Sequence, residues 1–143
     1  MTVSTILAAK GRDVVTIEPG ASLAATAEVL AKRRIGAVVI LGADHRIVGI
    51  LSERDIVRAI AERGADALGG PVSLAMTRTV STCNEAETVS SIMERMSAGK
   101  FRNMPVVDQG RLVGMVSIGD VVKHRLHAME RDSAAMRDYI MTA

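Results

Sequence analysis

Two stretches of this chain carry side chains arranged to hold a phosphorylated ligand. Gly49-Ile50-Leu51-Ser52-Glu53-Arg54-Asp55-Ile56-Val57 recurs as Gly114-Met115-Val116-Ser117-Ile118-Gly119-Asp120-Val121-Val122, with position 49 matching 114. In each stretch an apolar run ends at Ser and gives way to a helical pattern. A glycine lets a ligand approach the backbone closely. The first turn of a helix offers unpaired N–H groups and a positive dipole end to a phosphate. Ser52 and Ser117 add a hydroxyl donor at that place. Asp55 and Asp120, about one turn on, offer two carboxylate oxygens to the two vicinal hydroxyls of a ribose. The same residues have a plainer use, as an N-cap serine and a first-turn acid. One copy alone reads as a cap; repetition at fixed spacing points to a site.

Two arginines add charge. Arg54 lies inside the first motif, and Arg102 stands just before the second copy's central strand. Either can neutralise a phosphate through a bidentate contact. The second motif has Gly119 where the first has Arg54, and the first copy has Gly36 where the second has Arg102. Two clefts of unequal phosphate chemistry are therefore expected.

The elements that must position these residues also repeat. Gly36 to Ile40 matches Arg102 to Val106, and Val15 to Ile17 matches Ser81 to Cys83. The second copy is one residue shorter at a turn, with Gly42-Ala43-Asp44-His45 set against Asp108-Gln109-Gly110, where a length change is tolerated. Each copy reads strand, helix, strand, strand, helix. Val14 to Ile17 is a short strand. Ser22 caps a helix with Leu23, Ala27, Leu30 and Ala31 on one face. Ala37 to Leu41 and Ile47 to Leu51 are strands, and Arg54 to Arg63 is a helix. In the second copy the helices run roughly from Ala86 to Ala98 and from Gly119 to His127. Gly69-Gly70-Pro71 marks the linker, which divides the chain into units 1–68 and 69–127 with an extension over 128–143. Units this short bury too little surface alone. Stacked face to face about a quasi-twofold, two units solve that problem and create two equivalent clefts. Val122, Leu126, Met129, Met136 and Ile140 recur at near-helical spacing near the end, suited equally to packing on the chain's own core or to a homodimer contact.

Composition narrows the choices. The chain has 143 residues, 48% apolar and 24% charged, which argues for a folded module and against disorder. Phe101 and Tyr139 are the only aromatics, so base stacking as in single-strand nucleic-acid binders is largely unavailable. Net charge is +2 and no basic run exceeds Lys32-Arg33-Arg34; no nucleic-acid partner is expected. Cys83 is the sole cysteine, so no intrachain disulfide forms. The first residues lack a secretory pattern and no apolar run reaches the ~18 residues of a membrane span; a cytoplasmic location with no membrane partner is expected. Cys83 with His45, His124 or His127 offers a nucleophilic pair only in principle, and no motif supports it. The expectation is a binding module, not an enzyme. The nine methionines either fill the core or give an adaptable partner surface.

The repeat resembles the CBS domain family, and the pair resembles a Bateman module. The most specific stretches are Gly49 to Asp55, Gly114 to Asp120 and Asn103-Met104-Pro105-Val106-Val107. The resemblance implies an α+β fold of two pseudo-symmetric β-α-β-β-α repeats, each a small sheet with helices on one side, stacked as a pair. It implies an adenine ligand in the clefts between repeats: AMP first, with ADP, ATP, NAD(H) or S-adenosylmethionine as alternatives and no metal required. It assigns ribose to Asp55 and Asp120, and phosphate to Ser52 and Ser117. Ile35-Gly36-Ala37 and Phe101-Arg102-Asn103, continuing into Met104 and Pro105, would line base or phosphate; Thr16 and Thr82 would reach the base edge. Gly119 belongs to the second motif. A cleft mixes both repeats, so Asp120 is expected beside Ile35 to Ala37, and Asp55 beside Phe101 to Asn103. Val39 stands opposite Pro105, a departure from the family's usual proline. A homodimer and an unidentified regulated protein are the implied partners. The alternative is a partner-binding module acting through the last helix, with the nucleotide only structural.

Overall fold

Ser22 and Thr88, at matching positions of the two copies, each turn an extended chain into a helix. The Ser22 hydroxyl accepts from the Ala25 N–H at 3.1 Å, and the Thr88 hydroxyl from the Ser91 N–H at 3.1 Å. Both helices end on a left-handed residue that is not glycine, Arg34 at φ 54° and Lys100 at φ 57°. In the computed structural model, which describes residues 1–142, the order is α1 (Val3–Lys10), β1 (Thr16–Ile17), α2 (Leu23–Arg33), β2 (Ala37–Leu41), β3 (Ile47–Ser52), α3 (Glu53–Arg63), α4 (Val89–Gly99), β4 (Asn103–Asp108), β5 (Arg111–Ser117) and α5 (Ile118–Thr142).

The first repeat has a three-stranded sheet in the order β1-β2-β3, with β1 parallel and β3 antiparallel to β2. The second pairs β4 with β5 antiparallel, and a single parallel bridge from Cys83 to Val106 stands where the first copy has β1. Both hairpins carry the same irregularity, between Ile40 and Leu41 and between Val106 and Val107. The one-residue difference lies in the turn. The first copy closes through a 3-10 turn over Ala43–His45. In the second, Asp108 pairs with Arg111, and Gln109 and Gly110 take φ of 50° and 77°. Positive φ at both central residues is the demand of a two-residue type I′ hairpin. The expected β-α-β-β-α repeats are present.

Several details differ from the sequence expectation. Strand β1 starts at Thr16 rather than Val14. Helix α2 buries Leu23, Thr26 and Leu30, while Ala27 is half-buried and Ala31 exposed. Thr26 can be buried because its hydroxyl donates to the Ser22 carbonyl at 3.0 Å. Helix α4 begins at Val89, not Ala86, because Asn84 and Glu87 tie the preceding chain into a turn: the Asn84 N–H donates to Glu87 Oε2 at 2.8 Å. Helix α5 runs unbroken past His127, since no glycine or proline follows Gly119 in it.

The two cores do not follow the linker. Val3, Ile6 and Leu7 of α1, an element without a distinctive sequence signal, pack with Ile92, Met96, Met104 and Val116 of the second repeat. Val72, beyond the linker, packs with Leu23, Val38, Ile40 and Leu51 of the first, and Met76 lies against it. Each repeat is thus covered by a segment from outside its own strands and helices. The motif glycines make room for these covers. A Cβ on Gly114 would lie 2.8 Å from Leu7, and one on Gly49 would lie 2.5 Å from the Met76 sulfur. Their missing side chains serve packing on this face.

The apolar stripe of α5 does not pack on the chain's own core. Val121 is fully buried, but Val122, Leu126, Met129, Met136 and Ile140 are exposed.

Candidate functional site

Each strand-to-helix junction is a reciprocal cap. At the first, the Ser52 N–H donates to Asp55 Oδ2 at 2.8 Å, and the Asp55 N–H to Ser52 Oγ at 3.4 Å. At the second, the Ser117 N–H donates to Asp120 Oδ2 at 2.9 Å, and the Asp120 N–H to Ser117 Oγ at 3.1 Å. This is the capping-box arrangement, with Asp in the usual place of Glu. The first helical N–H is also used in both copies: Glu53 donates to the Gly36 carbonyl at 3.1 Å, and Ile118 to the Arg102 carbonyl at 2.8 Å. That bond ties each helix start to the residue that opens the central strand. It leaves the N–H of Arg54, and in the second copy of Gly119, without an acceptor among the described residues. The helix starts are less open to a phosphate than the sequence suggests.

The two carboxylates then part company. Asp55 is 2% exposed. Besides the Ser52 N–H it takes the Ser52 hydroxyl at 3.2 Å, Arg58 Nη2 at 2.7 Å and the Thr77 hydroxyl at 3.0 Å. Four donors fill the roughly four acceptor positions of a carboxylate. Asp120 is 22% exposed and receives, besides the Ser117 N–H, only Lys10 Nζ at 2.7 Å, also on Oδ2. Nothing among the described residues donates to its Oδ1. Lys10 Nζ also donates to the Met115 carbonyl at 2.8 Å. In the first copy the Thr77 N–H does the same to Ile50, at 2.9 Å. The Lys10 ammonium thus covers positions that Thr77 covers with its N–H and its hydroxyl.

A cavity of about 1010 Å³ opens between the repeats. Of the sequence-predicted residues, Gly36, Ala37, Ser52, Arg54, Asp55, Thr82, Phe101, Arg102, Asn103 and Ser117 line it. Asp55 and Phe101 to Asn103 line it together, and so do Gly36 and Ala37, which were expected beside Asp120; a Cβ on Gly36 would lie 3.9 Å from Asn103 Nδ2. Thr16, Ile35, Met104, Pro105, Gly119 and Asp120 do not line this cavity. Met104 and Pro105 are buried in β4, and Thr16 is exposed on β1.

Residues that motif reasoning missed complete the site. Arg58, Thr77, Arg95 and Lys100 also line the cavity. Arg95 holds the stretch leading to Cys83 in place: its guanidinium donates to the Ser81 hydroxyl at 2.9 Å and the Thr82 carbonyl at 2.7 Å, and pairs with Glu87 at 2.9 Å. Thr77 and Lys10 carried no signal, because each sits in a cover segment whose contact appears only on folding. Arg58 had a weak signal, three residues after Asp55 on the same helix face.

Cys83 is buried in the second core, and burial, reinforced by the Glu87 carboxylate, pushes its thiol up to about 11. The un-ionised thiol is a poor nucleophile at neutral pH. Burial, then the Arg131 guanidinium, lowers the His124 pKa, on a helix that contributes no histidine to the cavity. Among the described residues no three His, Cys, Asp or Glu side chains come together as a metal site, and no helix is long and apolar enough to cross a membrane.

Comparison with known proteins agrees with this architecture. The CBS domain family model matches residues 7–62 and 72–127. A solved CBS-domain-containing protein from Agrobacterium tumefaciens is 48% identical, with a TM-score of 0.85 over 87% of this chain and 92% of that one. A CBS domain protein from Pyrobaculum aerophilum, solved in complex with AMP, is 33% identical, with a TM-score of 0.75 over 84% of this chain and 89% of that one. A CBS domain pair solved with 5′-methylthioadenosine and S-adenosyl-L-methionine is 29% identical, with a TM-score of 0.78 over 91% and 98% of the two chains. Among curated sequences, an uncharacterized 17.7 kDa protein of Acidianus ambivalens is 33% identical over 120 residues, 82% of this chain and 71% of that protein. The chain spans 39% of a Methanocaldococcus jannaschii relative and 56% of a mitochondrial CBS domain-containing protein of Arabidopsis thaliana. The family model accounts for both copies, and the solved relatives superimpose over most of the chain: it belongs to the CBS domain family, as a tandem pair.

Proposed function

We propose that the chain is a regulatory module that binds an adenine nucleotide between its repeats and reports occupancy through the packing of those repeats. The observation that carries this is the cavity itself, which brings the junctions Ser52 to Asp55 and Ser117 to Ile118 together with Arg102 and Asn103. The Ser117 hydroxyl, Arg54 and Arg102 face the phosphate in this reading. Phe101 and Thr82 flank the base. Of the two motif acids Asp55 lines this cavity and is the ribose acceptor in this reading, while Asp120, with Oδ1 open, lies outside it. AMP is the first candidate, by analogy with the P. aerophilum relative; ADP, ATP, NAD(H) and S-adenosylmethionine follow. A ligand shifts such a module only by its differential affinity for two packings. The module binds rather than catalyses, and works in the cytoplasm. Calorimetric titration with these ligands tests the reading: one of them binds below millimolar concentration, and Arg102→Ala weakens it by about tenfold. No binding of any at millimolar concentration overturns it.

A second reading has its own observation. Leu126, Met129, Met136 and Ile140 stand exposed along one long helix, at a spacing that suits a helix–helix seam. We propose that this stripe pairs two copies of the chain. Light scattering after chromatography should give a dimer, and Leu126→Glu with Met129→Glu a monomer; a monomeric parent overturns it.

A further inference from the structure

We propose that α5 joins two copies of the chain as a parallel, in-register coiled coil, with Arg125 of each copy against Glu130 of the other and Asp132 against Arg137. The inference rests on the pairing of copies proposed above and adds its direction and register. Three observations carry it.

The first is the period. Val122, Leu126, Met129, Ser133, Met136 and Ile140 follow one another at intervals of four, three, four, three and four residues, the a and d spacing of a heptad seam. The five apolar members are between 47% and 66% exposed. Val121 is buried and His124 and Ala128 are half-buried, so a different face of the helix meets the body. Every residue from 129 to 141 is exposed, which leaves about 20 Å of helix with little of its own chain against it. A free helix of that length is marginal in water. The second is charge. Lys123, Glu130 and Arg137 flank the seam at e positions, and Arg125 and Asp132 at g positions. In a parallel pair each g residue meets the e residue five positions on in the other copy. Arg125 then meets Glu130 and Asp132 meets Arg137, each twice by symmetry and each attractive. In an antiparallel pair e meets e and g meets g. With the seam fully overlapped, Lys123 then meets Arg137, Glu130 meets Glu130 and Asp132 meets Asp132, all repulsive. Like charges set opposite one another select against that direction. The third is that these charges have no use within the chain. No Lys, Arg, Asp or Glu of opposite sign stands three or four residues from Arg125, Glu130, Asp132 or Arg137. None of the four joins an ion pair among the described residues; Arg125 reaches only the exposed Ser90 hydroxyl, at 3.5 Å. A parallel pair leaves both bodies at one end of the coil, with Asp120 two residues before the first seam position in each.

The experiment uses the full chain, with folding checked by thermal melting. Light scattering and sedimentation give the oligomer and its Kd. Oxidation of Met136→Cys and Leu126→Cys variants with glutathione gives the direction, and the parent is the blank because Cys83 is buried. In the parallel pair position 136 faces 136, and Met136→Cys alone should become a disulfide-linked dimer. An antiparallel pair sets 136 against 126, so only a mixture of the two variants would link. Glu130→Lys should raise the dimer Kd by about tenfold, and adding Arg125→Glu should bring it back within about threefold of the parent. Disulfides between 136 and 126 with none between 136 and 136 overturn the proposal and leave the pairing of copies standing. So does a Glu130→Lys dimer as tight as the parent, since residue 130 of an antiparallel pair faces its own like charge in either form. A monomeric parent, or a dimer that neither cysteine links, removes both.

Discussion

The two strand-to-helix junctions share their motif, their reciprocal cap and their bond to the strand opposite, yet they present different carboxylates. Asp55 is sealed at 2% exposure with four donors around it, while Asp120 keeps one oxygen open at 22% exposure. The difference comes from the covers. The first junction is closed by the chain after the linker, where Thr77 pairs with Ile50 in both directions, N–H to carbonyl at 2.9 Å each way. The second is closed by α1, which reaches Met115 and Asp120 with one flexible ammonium. An internal repeat therefore fixes backbone geometry more firmly than it fixes chemistry, because the atoms that finish each site come from segments outside the repeat.

The covers offer the largest test of this comparison. Leu7 is 1% exposed and packs among the second core, whereas Met76 is only half-buried on the first. Leu7→Ala should cost about 2–5 kcal/mol of stability and Met76→Ala about 1–2 kcal/mol. Urea unfolding of both variants checks it. Equal costs would mean that the two covers are equivalent and that the asymmetry at the carboxylates has another origin.

The carboxylates come next. Asp55→Ala removes the acceptor for Arg58, Thr77 and the Ser52 N–H at a buried position, and the expected cost is about 2–4 kcal/mol. Asp120→Ala removes a cap bond and a partly exposed ion pair, for about 1 kcal/mol. The gap should shrink when Thr77→Val is combined with Arg58→Met, since neither donor then needs Asp55. A gap that survives the double background would place the difference in the caps instead, and hydrogen exchange at Ser52 and Ser117 would show it.

How far sequence alone reaches follows from the same contrast. Ser22, Ser52 and Ser117 are legible because a cap acts over three residues, whereas Thr88 lies inside the helix expected from Ala86; the strands β2 and β4 are legible as short runs bounded by turns. The one-residue slip is legible because it falls in a turn that has to change type. Helix α1 was not legible, since Val3, Ile6 and Leu7 are too few to establish a period. The pairing of Lys10 with Asp120 spans 110 positions and leaves no local trace. Ten of the expected site residues meet at one cavity because the quasi-twofold brings both strand openings together. Thr16 falls outside it, exposed on β1, and so does Asp120, which is bonded to Lys10 one turn into α5 although Ser117 and Ile118 of the same junction line the cavity. The glycines of the motif look like ligand clearance in sequence and prove to be clearance for Leu7 and Met76.

The smallest effect tests whether the repeats differ in their cores as they do at their surfaces. Ile17 bridges Ile40 in the first sheet, and Cys83 bridges Val106 at the matching place in the second. Only the second core therefore holds an ionisable group there, with its thiol pushed from 9.0 to about 11 by burial and by Glu87. Between these values the unfolded chain releases the thiol proton while the folded chain keeps it, so stability must fall as pH rises through that window. The contribution is fully present below pH 9 and on the order of 1 kcal/mol is lost by pH 10. The informative quantity is a difference between variants. In Cys83→Val the fall in the urea midpoint from pH 8 to pH 10.5 should be smaller than in the parent. In Ile17→Val, which leaves no thiol in the first core, it should match the parent. Parallel profiles for all three would show that the thiol ionises as readily in the fold as in the unfolded chain, and that the second core is open to water where the first is closed.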